Sequence, residues 1–182
     1  ACMGLLTGCS EKDSNSSQYV NPFIGTGGHG HTFPGATLPF GMVQLSPDTR
    51  LEGWDGCSGY HYSDSIVYGF SHTHLSGTGV GDYCDVLFMP TIGNITFNNG
   101  YKKGVDQGYA SRFLKQTEKA SPGQYQVILG DYNIEVSLTA TERTGMHLYN
   151  FGESTSGNVI IDLAHRDIVL SAEIEQVSEA AV

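Results

Sequence analysis

Two histidine pairs, each separated by one residue, are the part of this chain best suited to chemistry. His29 and His31 lie in a glycine-rich stretch, and His72 and His74 precede a second one. In extended backbone, residues two apart point to the same side, so each pair would present two imidazoles together. Two imidazoles begin a metal site, but a closed site needs a third and a fourth ligand. For His29 and His31 we therefore expect one ring to hydrogen-bond the loop backbone and the other to be solvated.

The second pair lies near two carboxylates. A predicted strand delivers His72 and His74 to one face, and Asp82 and Asp85 follow a loop of glycine, serine and threonine. A serine hydrolase would need its nucleophile on a strand–turn–helix elbow, and this segment has no Gly-x-Ser-x-Gly pattern. The first glycine-rich stretch also lacks the Gly-Lys-Ser/Thr ending of a nucleotide-binding loop. We expect the imidazoles and carboxylates to hydrogen-bond sugar hydroxyls.

The single tryptophan, Trp54, lies among glycine and polar residues in segment 53–57 rather than in an apolar run. Exposed aromatic rings stack on the apolar face of sugars, because they bury a large area at low entropic cost. The alternative is a tryptophan that caps one end of the core. Cys57 and Cys84 also leave two alternatives, which are one disulfide or two separate buried thiols.

The charge balance excludes several classes of partner. The 182 residues carry 19 Asp and Glu against 9 Lys and Arg, which gives a net charge of −10. A nucleic-acid-binding protein needs a basic face, and an amphipathic helix on anionic lipid needs a cationic one. Glycine contributes 24 residues, which is about twice its usual share. This composition favours an all-β, turn-rich, exported protein.

Strand signals predict a β-sandwich with little helix. The clearest signal is a hairpin of residues 124–129 and 133–142 around the turn Gly130-Asp131, because apolar residues of the second segment recur at period two. The other expected strands are shorter apolar or alternating runs, at residues 42–46, 66–70, 85–89, 92–97, 112–118, 145–151, 159–163 and 168–174.

The N-terminus resembles the end of a bacterial lipoprotein signal. Leu6-Thr7-Gly8-Cys9 is similar to a lipobox, in which cleavage precedes a cysteine that then carries the lipid. We expect residues 1–8 to be a signal-peptide remnant and Cys9 to be lipidated. The polar residues 9–18 would be a lipid-anchored, disordered linker, and residues 19–182 one domain. The alternative is a short apolar N-terminus with two chance cysteines.

Several motifs resemble the N-terminal domain of family 92 glycoside hydrolases, which are bacterial exo-acting α-mannosidases. The longest are Val20–Thr26, Gly28–Ala36, Pro39–Arg50, Trp54–Tyr60 and Gly69–Gly79. With shorter matches at 120–123, 139–143 and 161–165, the resemblance extends from residue 20 to residue 165. It implies a β-supersandwich similar to galactose mutarotase, in agreement with the strand pattern.

The resemblance also implies calcium-dependent, inverting hydrolysis of α-mannoside glycans by a full-length enzyme. In this family the acid, the base and the calcium site belong to an (α/α)6 domain, which we expect beyond residue 182. We therefore place no catalytic residue and no metal in this chain, and we expect it to be inactive alone. Its loops would pack on the (α/α)6 domain and complete the pocket. The candidate substrate-binding residues are Gly30, His31, Trp54, Cys57, His72 and His74.

Both chain ends indicate a piece of a longer protein, because no methionine begins the chain and residues 171–182 alternate as if pairing onward. We expect an exported bacterial lipoprotein of the periplasm or outer membrane, with membrane contact only through the lipid and no nucleic-acid partner. Two other roles stay open for the domain. It is either an autonomous carbohydrate-binding module or a purely structural partner of the domain that follows.

Overall fold

A computed structural model describes residues 16–181. Within that range the chain forms short strands and 3₁₀ turns, and it contains no helix long and apolar enough to cross a bilayer. The strands are β1 Ala36–Thr37, β2 Gln44–Asp48, β3 Ile66–Val67, β4 Gly69–Ser71, β5 Leu87–Ile92, β6 Ser111–Arg112, β7 Lys119–Ser121, β8 Gln124–Leu129, β9 Ile134–Ala140, β10 Gly145–Asn150 and β11 Gly157–Asp162. The 3₁₀ turns span Ser16–Tyr19, Trp54–Gly56, Val105–Gln107 and Lys115–Thr117.

The strands form two main antiparallel sheets. One has the order β1-β2-β4-β5-β11, the other has the order β10-β9-β8-β7, and β3 pairs separately with β6. The buried apolar side chains of both main sheets form one cluster, so the core lies between them. The all-β sandwich expected from the strand pattern is confirmed.

The hairpin of β8 and β9 is the most regular part of the sandwich. Its register runs from Gln124 opposite Thr139 to Leu129 opposite Ile134. Alternate side chains of β9 are buried, as period-two alternation predicts for a strand with one solvated face. They meet apolar side chains of the five-stranded sheet, and the central members of this core are Leu45, Phe70, Leu87, Met89, Tyr125, Val127, Leu129, Ile134, Val136 and Leu138.

Three of the expected strands are wrong. Of segment 92–97, only Ile92 belongs to a strand, because β5 ends there. Gly93 turns with φ +83°, and its amide donates to the carbonyl of Ser156, where pairing with β11 stops. Only the first residue of segment 112–118 belongs to a strand, and a 3₁₀ turn lies near its end. Segment 168–174 forms no strand within the described range, and its side chains are exposed because no neighbouring strand offers a ladder.

The expected linker is described only in part. Residues 1–15, which include Cys9 and the expected signal remnant, lie outside the described residues. Ser16–Tyr19 forms an exposed 3₁₀ turn, and the amide of Val20 donates to the carbonyl of Ser17 at 3.1 Å. The last three residues of the expected disordered linker therefore have local backbone order and are exposed.

A hydrogen-bond network of neutral groups links the two main sheets. His72 Nδ1 lies 2.8 Å from the carbonyl of Val86, which can only accept, so this nitrogen carries the proton. The bare Nε2 of His72 then accepts from His147 Nε2 on β10, at 3.2 Å. His147 Nδ1 in turn accepts from the Tyr149 hydroxyl, at 2.6 Å. Every ring nitrogen has a partner while both imidazoles stay neutral.

Protonation of His147 would break this hydrogen-bond network. Burial, assisted by the neighbouring His72, lowers the pKa of His147 to about 3, well below the usual value of about 6.5. Between these two pH values the unfolded chain binds a proton that the folded chain does not. The stability contributed by neutral His147 is therefore present at neutral pH and is lost as the pH falls from about 6.5 toward 3.

Truncation of the fully buried Leu138 tests the core. We expect Leu138→Ala to lower the free energy of unfolding by about 2–5 kcal/mol, through lost apolar burial and a residual cavity. Leu148, on the outward face of the adjacent strand, provides the matched control. Leu148→Ala should change stability by no more than about 0.5 kcal/mol. Urea unfolding of the 182-residue chain measures both, and equal losses would contradict the assigned inward and outward faces.

Replacement of His147 tests the hydrogen-bond network between the sheets. We expect the free energy of unfolding of the wild-type chain to fall more steeply from pH 7 to pH 5 than that of His147→Gln, because glutamine does not titrate. Urea unfolding at the two pH values measures this difference. His61→Gln is the control, since His61 lies in an exposed loop and hydrogen-bonds Ser63 and the carbonyl of Gly28. Parallel pH profiles for wild type and His147→Gln would refute the interpretation.

Candidate functional site

Three loops meet at one end of the sandwich, and we call residues 25–32, 53–57 and 76–79 the loop cluster. The amide of Gly77 donates to the carbonyl of His31 at 2.7 Å, which joins the first and third loops. The Cys57 thiol donates to the carbonyl of Thr78 at 2.7 Å, which joins the second and third. The cluster is thus held together through main-chain carbonyls rather than by strand pairing.

Trp54 projects from this cluster. It opens the 3₁₀ turn Trp54–Gly56, after Gly53 with φ +86°, a conformation that favours glycine. Its side chain is 59% exposed, so it lies outside the core. A Cβ added to Gly79 would lie 2.6 Å from Trp54 Nε1, so the third loop can approach the indole only because residue 79 lacks a side chain.

Two imidazoles flank the indole. The His31 ring meets Trp54 edge-on, with centroids 4.4 Å apart at 88°, and the His29 ring is tilted at 5.2 Å. His31 is buried and takes a positive φ of 54°, whereas His29 is exposed. This backbone turn, rather than an extended strand, brings both rings to one side.

Both imidazoles face Asp55. His29 Nδ1 donates to Asp55 Oδ1 at 2.6 Å, and His31 Nε2 lies 3.4 Å from the same oxygen. The hydrogen bond from His29 is the largest of the influences that lower the pKa of Asp55, so the carboxylate is ionised at neutral pH. The expectation that one of the two rings would bond the loop backbone was wrong. A third histidine, His61, has that role, since its Nε2 donates to the carbonyl of Gly28 at 3.1 Å.

Gly30 shapes the first loop by close backbone approach. A Cβ at this position would lie 2.0 Å from the carbonyl oxygen of Gly25, which is shorter than any real contact. The same carbonyl accepts from the amide of Thr32 at 3.2 Å. Gly30 is exposed, so its backbone, rather than a side chain, is what it presents at the surface.

The structure separates His72 from His74. β4 ends at Ser71, so no strand carries the pair, and the prediction that both face one side was wrong. His72 lies in the hydrogen-bond network between the sheets, and His74 is buried next to Asp48. The two carboxylates expected beside this pair make local hydrogen bonds instead. Asp82 accepts from the amide of Tyr83, and Asp85 accepts from the Thr73 hydroxyl.

The two body cysteines are separate free thiols, which decides between the alternatives left by the sequence. Cys57 lies in the loop cluster, where burial raises the pKa of its thiol, so it is protonated when it donates to Thr78. Cys84 lies beside Asp48 and His74. Both side chains are buried, and neither presents a sulfur to solvent.

Sequence reasoning missed Arg166, which holds the second loop in place. Its guanidinium donates to the carbonyls of Leu51 at 2.6 Å, Arg50 at 3.3 Å and Gly56 at 3.2 Å. These carbonyls lie on both sides of the turn that carries Trp54. Arg166 is 110 residues or more from them in sequence, so no local pattern links it to this turn.

Tyr60 fixes the end of the same segment to the opposite sheet. Its hydroxyl donates to Glu118 Oε1 at 2.8 Å, and the hydroxyl of Tyr125 on β8 donates to the same oxygen at 2.6 Å. Lys115 Nζ balances the buried carboxylate from 3.0 Å. The turn bearing Trp54 is therefore followed by a rigid anchor.

Among residues 16–181, one group of His, Cys, Asp and Glu side chains is close enough to share an ion: Asp48, His74 and Cys84. Calcium binds six to eight oxygens in proteins. A set with one carboxylate, one imidazole and one thiol does not fit that requirement. The calcium implied by the family resemblance is therefore not assigned to this group.

The chain is similar in sequence to proteins of one known family. A sequence profile of the glycosyl hydrolase family 92 N-terminal domain matches residues 19–182. An uncharacterized secreted glycosidase of the fungus Arthroderma benhamiae is 29% identical over 157 residues, which cover 82% of this chain and 19% of the fungal protein.

Solved structures give the same result. A family GH92 α-mannosidase of Bacteroides thetaiotaomicron, solved alone and with mannoimidazole, matches with a TM-score of 0.79 and 44% identity over 82% of this chain and 20% of its own. A family GH92 inverting mannosidase of the same bacterium matches with a TM-score of 0.69 and 31% identity over 84% and 20%. The chain thus spans about a fifth of the length of these relatives. It belongs to glycosyl hydrolase family 92, and residues 19–182 are part of that family's N-terminal domain.

Proposed function

We propose that this chain supplies substrate-binding loops to an exo-acting, calcium-dependent, inverting α-mannosidase. The observation that carries the proposal is the exposed indole of Trp54, held by the loop cluster and flanked by His29, His31 and the ionised Asp55. Two structural relatives are named as mannosidases, which supports α-mannoside glycans as the substrate class.

The chemistry of a sugar ring suits these groups. One face of a pyranose carries mainly C–H bonds and stacks on an indole, while its hydroxyls project at the rim. Asp55 Oδ1 accepts from His29, and its second oxygen can accept from a sugar hydroxyl. A charged acceptor makes a stronger hydrogen bond than a neutral one. The loop cluster therefore offers a stacking surface and a polar rim for one terminal mannose.

Hydrolysis itself is assigned to groups outside this chain. An inverting glycosidase needs two carboxyl groups about 6.5–9.5 Å apart, one to protonate the leaving oxygen and one to activate water. We propose that both, together with the calcium site, lie in an (α/α)6 domain beyond residue 182. The loops of this chain would bind and orient the sugar against that domain.

We also propose that the protein is an exported bacterial lipoprotein of the periplasm or outer membrane, anchored through Cys9. The lipobox-like Leu6–Cys9 supports the anchor. One relative is named as a secreted glycosidase, which supports export.

A purely structural role is the second candidate, and a specific observation favours it. The outward faces of β10 and β11 carry exposed apolar side chains, which are Met146, Leu148, Val159 and Ile161. Exposed apolar patches on a domain typically mark an interaction surface. On this alternative, the N-terminal domain stabilises the catalytic one and contributes nothing to substrate binding.

We expect the 182-residue chain alone to release no mannose from α-mannosides, with or without calcium, because the acid and base are assigned elsewhere. Mannose release by the purified chain measures this directly. Calcium-stimulated release would refute the placement of the catalytic groups. Calorimetric titration with mannosides in the same samples tests the autonomous binding module, which requires measurable binding by this chain alone.

In a protein that continues into the catalytic domain, we expect Trp54→Ala to lower kcat/KM for mannosides by about tenfold or more, equivalent to about 1.4 kcal/mol of lost transition-state binding. Its melting temperature should stay close to that of the wild type, because the indole lies outside the core. Phe97→Ala is the control, since that ring is 85% exposed and lies outside the loop cluster. Full turnover of mannosides by Trp54→Ala would favour the purely structural role.

A further inference from the structure

Three metal-binding side chains, none of them in the loop cluster, converge in the interior. A carboxylate oxygen of Asp48, a ring nitrogen of His74 and the sulfur of Cys84 lie within 4.8 Å of one another, and all three residues are buried. Asp48 Oδ1 and His74 Nε2 are 3.3 Å apart. Ligands at about 2.0–2.3 Å from a tetrahedral zinc ion are separated by about 3.3–3.8 Å. Asp48 Oδ1 and His74 Nε2 therefore already have the spacing of two zinc ligands.

The hydrogen bonds of His74 orient its Nε2 toward the other two donors. Its Nδ1 lies 2.7 Å from the carbonyl of Gln44, which can only accept, so Nδ1 carries the proton. Nε2 is the ring atom left to meet an ion, and it faces Asp48 Oδ1 at 3.3 Å. The Ser71 hydroxyl lies 3.3 Å from the same nitrogen. Metal-binding histidines commonly donate their other N–H to a backbone carbonyl, as His74 does.

The charges of the group also match a divalent ion. A bound metal ion displaces the thiol proton of Cys84, since the thiolate is the form that binds metals. One carboxylate, one thiolate and one neutral imidazole then carry two negative charges, which an M²⁺ ion neutralises in the low-dielectric interior.

Gly59 packs directly against the donors. A Cβ built on this buried residue would lie 2.6 Å from Asp48 Oδ1 and 2.8 Å from Cys84 Sγ. The residue also has φ +79°, where any side chain would strain the backbone. Only glycine can occupy this position, so the backbone lies directly against the carboxylate and the sulfur.

A fourth buried group, His165, gives independent support. Both of its ring nitrogens and Asp48 Oδ2 are buried without a hydrogen-bond partner among the described residues. His165 Nε2 lies 3.7 Å from that oxygen, on the side of the carboxylate away from Oδ1. Buried polar atoms without partners are rare and need an explanation. Bonding of Oδ1 to an ion would draw the carboxylate into a fixed orientation, with His165 as its outer partner.

We propose that Asp48, His74 and Cys84 bind one borderline-soft divalent transition-metal ion of the Zn²⁺ class. Imidazole with thiolate selects such ions over Ca²⁺ and Mg²⁺. Because all three donors are buried, the ion has a structural role and does not meet substrate. It joins β2, the segment after β4 and the segment before β5, which lead into the loop cluster. The proposal is independent of the proposed function.

Cobalt titration tests the site, because tetrahedral Co²⁺–thiolate centres have a charge-transfer band in the near ultraviolet. The 182-residue chain is prepared with Cys2→Ser and Cys9→Ser, so that only the body cysteines remain, and is stripped with a chelator. We expect one Co²⁺ per chain, a thiolate band, and loss of that band on addition of Zn²⁺ but not of Ca²⁺. Absence of the band, or binding far below one ion per chain, would overturn the proposal.

Two variants locate the ligand. Cys84→Ser should lose the thiolate band and weaken metal binding by more than about 100-fold, since even outer-shell changes cost 10–100-fold. Cys57→Ser is the matched control, because Cys57 is equally buried but bonds Thr78. It should keep the band and the stoichiometry. Equal binding by both variants would exclude Cys84 as a ligand, and circular dichroism checks that each is folded. If Cys84→Ser does not fold, retention of the band in Cys57→Ser still assigns it to Cys84.

Discussion

A buried carboxylate at the end of β2 is the constraint on which this end of the sandwich depends. Burial alone would raise the pKa of Asp48, but the neighbouring imidazoles of His74 and His165, 3.3 Å and 3.7 Å away, lower it below the usual range. An ionised group without water must be surrounded by compensating partners. Asp48 therefore draws residues from three distant parts of the chain to one point.

The loop cluster is connected to Asp48 through the segment that follows Trp54. Gly59 lies against Asp48, and its carbonyl accepts from the amides of Thr49 and Arg50, so the segment after Trp54 returns to the end of β2. Tyr60 continues this segment to the buried Glu118 of the other layer. The exposed indole thus rests on a rigid base, which is what orientation of a ligand requires.

Close approach between backbone segments is the second feature that positions the loops. Gly30 and Gly79 lie where a single extra carbon would collide with Gly25 and with the indole of Trp54. The loops are joined mainly by hydrogen bonds to main-chain carbonyls, so their positions depend on these small residues rather than on an apolar core. The apolar side chains are left for the sandwich interior and for the outward faces of β10 and β11.

Elements with a local signal can be predicted from the amino-acid sequence alone. Period-two alternation in β9 and a glycine turn before it were enough to predict the main hairpin, because one solvated and one buried face require that pattern. Glycine and polar neighbours were enough to place Trp54 outside the core. The family motifs likewise consist of contiguous residues, so they could be recognised without a structure.

Which side chains meet depends on the folded structure. His72 and His74 are two residues apart, yet one turns to His147 on the other sheet and the other to Asp48, because β4 ends before them. His165 and Arg166 reach the ends of β2 and the Trp54 turn across more than 100 residues of sequence. Contacts of this kind depend on how the two sheets stack and on where buried charge must be compensated, and neither is encoded in local spacing.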